Sequence, residues 1–332
     1  MVFWNGKEKA KEFNWENAAD IAIIGGGPAG LTAAIYALRD NKNIILFERD
    51  EIGGQALNSS KVVNIPGFSA ISGYDFIENV KEQIESIETG SLCVINEEVT
   101  AIIPLYEERS LFKVATSDSY FFTKSVIVAS GSKYRTLGVD GEEALIGRGI
   151  SFCSTCDAPF YKGKTVAVIG GGNSAVTEAI ELSSFAKRVI ILQDKEDLTA
   201  EKGLVAKLEK IPNVETITGV NVTGFFKFID TNNIGIDYRT YIASNSEWID
   251  EHLTVDGIFL AIGMVSQNSF IKDYLSVTPN GYIYKKDTVY VQNHILTAAG
   301  DCLFKPVKQI VTAAADGAEA AVRVCRALNE ED

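Results

Sequence analysis

Two stretches of the chain repeat one pattern of apolar and polar positions. IAIIGGGPAGLTAAIYAL, from Ile21, and VAVIGGGNSAVTEAIEL, from Val166, each run from an unbroken apolar segment through three glycines into apolar positions at helical spacing. An unbroken apolar run is the signature of a strand buried on both faces, and the recurrence that follows is that of an amphipathic helix. Both stretches therefore predict strand, turn and helix around a parallel sheet, an α/β architecture. Further apolar runs predict more strands of this kind: NIILFERD, VIVASG (Val126 to Gly131) and VDGIFLAIG (Val255 to Gly263). KQIVTAAADGAEAAVRVCRAL predicts a long amphipathic helix near the C-terminus, with a small-residue stretch from Ala313 to Ala315.

The glycines sharpen the picture. The first turn reads Gly25-x-Gly27-x-x-Gly30, and the second Gly170-x-Gly172-x-x-Ala175. Such a turn lets a pyrophosphate approach bare backbone at a helix start, and placement between strand and helix is what makes the motif credible. The two copies then part. Glu48 falls 23 residues past Gly25, where a carboxylate holds the ribose of a dinucleotide, whereas the same offset from Gly170 lands on Gln193, with Asp194 one step later.

Composition narrows the classes. In 332 residues the formal net charge is −13, against the clustered Lys and Arg that nucleic acid or an anionic membrane surface requires. Hydrophobic content of 46% and charged content of 23% are those of an ordinary soluble globular protein, long enough for two domains. No apolar run approaches the ~20 residues of a membrane span, and the first residues carry no secretory h-region. A cytoplasmic location is expected, with residues 1–19, including Trp4 and Trp15, forming a short extension that acts as a docking arm or a partly disordered tail. Of five cysteines, Cys153 and Cys156 form a lone CxxC, which in a reducing compartment is metal-binding or redox-active. A zinc site would need two more ligands from Cys93, Cys302, Cys325, His252 and His294, which form no second CxxC or paired His, so no metal is expected and the three other cysteines read as inert buried thiols.

FCSTCDAPFY followed by VAVIGGGNSAVTEA, with GGGPAG, GGQ, NIPGF, ASG, AIG and GDC in order, resembles the low-molecular-weight thioredoxin reductases over roughly residues 20–326. The resemblance implies two nucleotide-binding, Rossmann-like, three-layer domains, the second inserted into the first. An FAD domain would comprise residues 20–131 and 255–328, and residues 132–254 would form a pyridine-nucleotide-type domain carrying the CxxC. It implies a homodimer, FAD, a redox-active disulfide and a thioredoxin-like partner. Carried over residue by residue, Gly25, Gly27, Pro28, Ala29, Gly30 and Glu48 match pyrophosphate and ribose contacts. Gly54, Gln55, Asn64 and Gly131 match contacts near the ribityl chain and ring, and Val99 a backbone contact to adenine. Gly300, Asp301, Lys308, Gln309 and Ile310 match the C-terminal flavin contacts, with Lys308 standing where the family usually has Arg. Cys153 and Cys156 match the redox pair and Asp157 the acid beside it, although Asp157 could instead cap a short helix. Gly170, Gly172, Asn173, Ser174, Ala175 and Asp194 mark a second nucleotide site.

At that second site this chain departs from the resemblance. The family has His-Arg-Arg, three residues, then Arg; here the arginine positions are Asp194, Lys195 and Thr199. A 2′-phosphate facing aspartate loses bidentate pairing and meets like charge, so NADPH is disfavoured. The expected donor is ferredoxin or another protein; against the acidic surface it would need a local basic patch, for which Lys133, Arg135, Lys162 and Lys164 are candidates, the other reading of these four being scattered solubilising charges. The alternative is NADH, held through Asp194, or weak use of NADPH through the point charge of Lys195. A flavin-binding module or a ferredoxin–NADP reductase-like protein is the reading from another class; the CxxC tells against it, because neither needs a disulfide.

Overall fold

Each repeated stretch folds as strand, turn and helix within its own parallel sheet. The structure is a computed structural model describing residues 1–332 apart from 14–15, 60, 107–110, 232, 243–246, 267, 286–287, 293 and 331–332. The chain divides into two units, Met1–Lys133 with Val265–Asp332, and Tyr134–Met264. Short strands β8 (Lys133–Tyr134) and β17 (Met264–Val265) stand at the two passages of the chain between them.

In the first unit the described residues form a nine-stranded sheet. Its path is β1 (Val2–Phe3), β4 (Ser91–Ile95), β3 (Asn43–Phe47), β2 (Ala19–Ile24), β7 (Tyr120–Val128), β19 (His294–Ala298) and β18 (Val289–Val291). These pair in parallel except at β18, while β5 (Val99–Leu105) and β6 (Leu111–Thr116) add an antiparallel flap on β7. Alternation along β2 sorts its side chains between two cores. Ile21 and Ile23 enter the layer formed with helices α2 (Pro28–Arg39) and α8 (Ile310–Asn329), whereas Ala22 and Ile24 join Phe112 and Phe121 on the other face. Helix α3 (Gly73–Glu85) starts on Ser72, whose hydroxyl accepts from Asp75 N at 3.0 Å.

Residues 1–13 are neither an arm nor a loose tail. β1 pairs in parallel with β4 at the sheet edge, Met1 N and Gly6 N donate to Gly90 O and Val94 O, and helix α1 (Lys7–Ala10) follows. Ala10 and Phe13 are buried in the sheet core, Trp4 Nε1 donates to Glu85, and Lys7 pairs with Glu97. The apolar positions are too few and too irregular to show a period, which is why the sequence hides this strand. Trp15 lies outside the described residues.

The second unit holds a five-stranded parallel sheet in the order β12 (Val214–Ile217), β11 (Arg188–Leu192), β10 (Thr165–Ile169), β16 (Gly257–Leu260), β9 (Ile150–Ser151). Val166, Val168, Val189 and Ile191 face helix α6 (Asn173–Ser183). Ala167, Ile169, Ile190 and Leu192 face a three-stranded antiparallel sheet, β13 (Val220–Lys227), β14 (Ile234–Ile242) and β15 (Glu247–Val255). Helices α4 (Glu142–Leu145), α5 (Ser154–Asp157) and α7 (Lys202–Leu208) complete it. From the sequence this domain ends at residue 254. In the structure β16 pairs with β10 from Val166↔Gly257 to Ile169↔Leu260, and so belongs to the inserted unit. An apolar run marks a buried strand without saying which parallel sheet it joins.

Candidate active site

The turn after β2 is shaped by glycine sterics. Gly25 has φ +111°, and a Cβ there would lie 2.2 Å from the Ala129 carbonyl oxygen at the end of β7. A Cβ on Gly30 would fall 1.9 Å from Gly25 O, so only glycine lets α2 start this close to its strand. The same place in the second copy carries the methyl of Ala175, fully buried. Gly27, N-cap of α2, has open space around it, the nearest atom to a Cβ being Gly53 O at 4.0 Å; Gly131 has none within 4 Å. Pro28 opens the helix, and Ala29 lies under Gly300 and Gly317, whose missing side chains let α2 and α8 meet.

Glu48 leaves β3 and turns back to this loop. Its Oε2 accepts from Gly26 N at 2.8 Å and Oε1 from Asp50 N at 2.9 Å, leaving lone pairs on both oxygens for ribose hydroxyls. Asn64 Nδ2 donates to Gln309 Oε1 at 3.1 Å, joining residues 245 apart in sequence. Gln309 also caps α8, where Ile310 is the first helical residue. Gln55 Oε1 accepts from Asn58 at 3.2 Å, in the turn Gly54–Asn58. Val99 is a buried residue at the start of β5.

Lys308 is spent on the fold. Its ammonium donates to the carbonyls of Asp301 and Leu303 and lies 4.0 Å from the Tyr282 ring centroid, and burial pulls its pKa down to about 8 against the charge of Asp301. It braces the turn Gly300–Cys302, in which burial raises the Asp301 carboxyl, with Lys305 and Lys308 opposing. Asp301 Oδ1 is buried 3.2 Å from Lys305 Nζ, an ion-pair distance without hydrogen-bond geometry. A buried carboxylate oxygen short of a donor, an open glycine face at a helix start, and a carboxylate 23 residues on from Gly25 fit a flavin dinucleotide.

In the second unit, Cys153 and Cys156 are joined by a disulfide just beyond the carboxyl end of the edge strand β9. Cys153 is the N-cap of the short helix α5, its Sγ accepting from Cys156 N at 3.2 Å. Asp157 caps no helix with its side chain; burial raises its carboxyl, partly offset by a hydrogen bond with Ser151. The hydroxyls of Ser154 and Thr155 both donate to Glu181 Oε2 on α6, at 2.8 and 3.2 Å. One turn earlier on that helix, Glu178 is half-buried as a residue, but its Oε2 is sealed without a hydrogen-bond partner among the described residues. Burial, helped by the charge of Glu181, pushes its carboxyl up to about 8. Neither glutamate is found by reading the sequence, because their roles depend on how α5 packs on α6.

The second glycine turn repeats the first up to the ribose position. Gly170 has φ +124°, and a Cβ there would meet the Ala261 carbonyl oxygen at 2.6 Å, as Gly25 would meet Ala129. Where Glu48 meets Gly26, the buried Gln193 lies under Gly171, so close that a Cβ on Gly171 would fall 2.4 Å from its amide carbon. Asp194 is exposed one step farther along the chain. Asn173, at the start of α6, exchanges hydrogen bonds with Glu201, and Ser174 beside it is exposed. Thr199 N donates to Gly171 O at 2.8 Å. Among the basic-patch candidates, Lys133 is 3.5 Å from Asp50 and Lys164 lies over Tyr161.

Cys93, Cys302 and Cys325 are buried, with thiols pushed up to about 11, 11 and 12. No group of residues that could hold a metal ion occurs among the described residues, and no described helix is long and apolar enough to cross a membrane.

Two dinucleotide-type units, one carrying a CxxC disulfide, define a flavin-dependent disulfide reductase. Residues 19–317 match the pyridine nucleotide-disulphide oxidoreductase family. The chain is 33% identical over 308 residues to the thioredoxin reductase of Treponema pallidum, covering 92% of this chain and 96% of that one. It is 34% identical over 307 residues to a 34.2 kDa protein in the rubredoxin operon of Clostridium pasteurianum, covering 92% and 96%. The crystal structure of thioredoxin reductase from Streptococcus pyogenes superposes with a TM-score of 0.82 at 32% identity, over 94% of this chain and 99% of that one. The chain belongs to the pyridine nucleotide-disulphide oxidoreductases, as a thioredoxin reductase-like FAD oxidoreductase with the pair Cys153–Cys156.

Proposed function

We propose that this chain passes electrons from FAD through the Cys153–Cys156 disulfide to a thioredoxin-like protein, and that its donor is not NADPH. Bound flavin would supply a carrier that takes electrons singly or in pairs and delivers a pair to sulfur. Gly25, Gly27, Gly30 and Glu48 would hold its pyrophosphate and ribose, and Asn64, Gln309 and the turn at Asp301 its other half. Reduction breaks the bond between Cys153 and Cys156 and leaves two thiols, or one thiol and one thiolate. The thiolate attacks the partner's disulfide, giving a mixed disulfide and a free partner thiolate; the second cysteine then displaces the other partner sulfur. The partner leaves as a dithiol and the pair returns to disulfide. Asp157, its carboxyl raised by burial, can hold and return the proton the exchange needs. Such cycling belongs to a reducing cytoplasm, and we expect the working form to be a homodimer.

The observation that carries the donor assignment is Gln193 in the place of the ribose carboxylate, followed by Asp194-Lys195-Glu196-Asp197. An amide replaces the acid that would take the ribose diol, and Lys195, the cation at the family's arginine positions, is flanked in sequence by Asp194, Glu196 and Asp197. This supports a protein donor of the ferredoxin kind over NADPH, with NADH as the second reading because Asp194 remains exposed nearby. Anaerobic stopped-flow bleaching of the flavin by NADPH, NADH and reduced ferredoxin in turn separates them. Ferredoxin should bleach it fastest and NADPH poorly. Stoichiometric bleaching by micromolar NADPH would overturn this assignment.

A further inference from the structure

The redox pair sits on a helix too short to hold itself. A single turn fixes several backbone angles for one hydrogen bond and is unfavourable alone. In α5 the backbone bonds are Asp157 N to Cys153 O at 3.1 Å and Ala158 N to Ser154 O, supplemented by Cys156 N to Cys153 Sγ. While the disulfide is closed, its own ring also keeps the turn formed. Opening the bond removes that constraint, yet the two sulfurs must stay close enough for one to displace the partner from the other.

We propose that Glu181 is a positioning residue for this reaction, anchoring the two residues between the cysteines to α6 through Ser154 and Thr155. Both hydroxyls end on one carboxylate oxygen, Oε2, and Ser154 is buried, so the loop is held at two successive residues by a group on a longer helix packed in the core. Hydrogen bonds to a charged acceptor are among the stronger ones. The anchor forms its hydrogen bonds with the two hydroxyls between the cysteines. It acts by keeping the open dithiol in nearly the geometry of the closed disulfide, which raises the effective concentration of one thiol at the other and favours ring closure.

The inference rests on the pair cycling as proposed above, and one equilibrium reads both. The purified FAD-loaded protein is equilibrated in glutathione buffers, where Cys153–Cys156 disulfide plus two glutathione thiols gives the dithiol plus glutathione disulfide. It is then quenched by alkylation, and the peptide holding both cysteines is weighed. Glu181→Ala should shift the equilibrium about tenfold toward the dithiol, about 30 mV for a two-electron couple. Glu181→Gln keeps an acceptor oxygen and should stay within about threefold of wild type. Ser154→Ala with Thr155→Ala should shift it as Glu181→Ala does, and combining all three should add nothing, since the two sides form one contact. If Glu181→Ala fails to fold, the Ser154/Thr155 double variant carries the test alone. A wild-type pair that never exchanges with glutathione would defeat the relay itself. A wild type that equilibrates while Glu181→Ala leaves the ratio unchanged, or adds fully to the double variant, would overturn this inference alone.

Discussion

Gly30 and Ala175 occupy equivalent places in two copies of one turn, and their tolerances should differ. A methyl on Gly30 meets a backbone oxygen that no rotamer can move. Gly30→Ala should therefore cost on the order of 2 kcal/mol and lower the flavin absorbance retained through purification. Ala175→Gly should cost about 1 kcal/mol or less, with flavin unaffected, as thermal melts of the two variants would show. Glu178 makes a prediction in pH. Its carboxyl titrates near 8 in the fold and near its ordinary 4.5 when unfolded, so the folded state binds the extra proton between those values. Stability from this group is therefore fully present below about pH 4.5 and is lost as pH rises toward 8. Glu178→Gln should abolish that loss, on the order of 2 kcal/mol after allowing for the residue's partial exposure. Melting temperatures of both proteins between pH 5 and 8 measure it; parallel curves would refute it.

Among the elements, β1 and α1 are the ones whose contribution can be removed cleanly. Deleting residues 1–13 exposes the edge of β4, together with Cys93 and the pockets of Ala10 and Phe13. The truncated protein should melt several degrees lower and aggregate more readily, because an uncovered strand edge is a template for pairing. Its glutathione equilibrium at Cys153–Cys156 should not change, since the pair lies on the other unit. These residues also mark where sequence patterning loses its grip. The two βα units were legible because long apolar runs and glycine spacing have one structural solution. A two-residue strand has no period to read, and VDGIFLAIG resembles VIVASG although the strands join different sheets. That the offset from Gly170 lands on Gln193 and not on an acid was legible by counting, but that Gln193 lies directly under Gly171 required the fold. Glu181 carries no motif, because its meaning comes only from α5 lying against α6.

For the molecule as a whole, a net charge of −13 acts on any protein that brings it electrons. An acidic ferredoxin should be repelled at long range, so its second-order rate of flavin reduction should rise with ionic strength from about 20 to about 200 mM as the field is screened. A rate that instead falls with salt would show a basic docking patch outweighing the global charge. The two glycine turns carry a different lesson. Gly25 and Gly170 are each forced by a neighbouring strand's carbonyl, Ala129 in one and Ala261 in the other. That constraint belongs to the backbone and would persist in a descendant that had given up the second dinucleotide altogether. Packing alone is thus enough to keep a glycine fingerprint of this kind, so the fingerprint by itself is no proof that a coenzyme binds there.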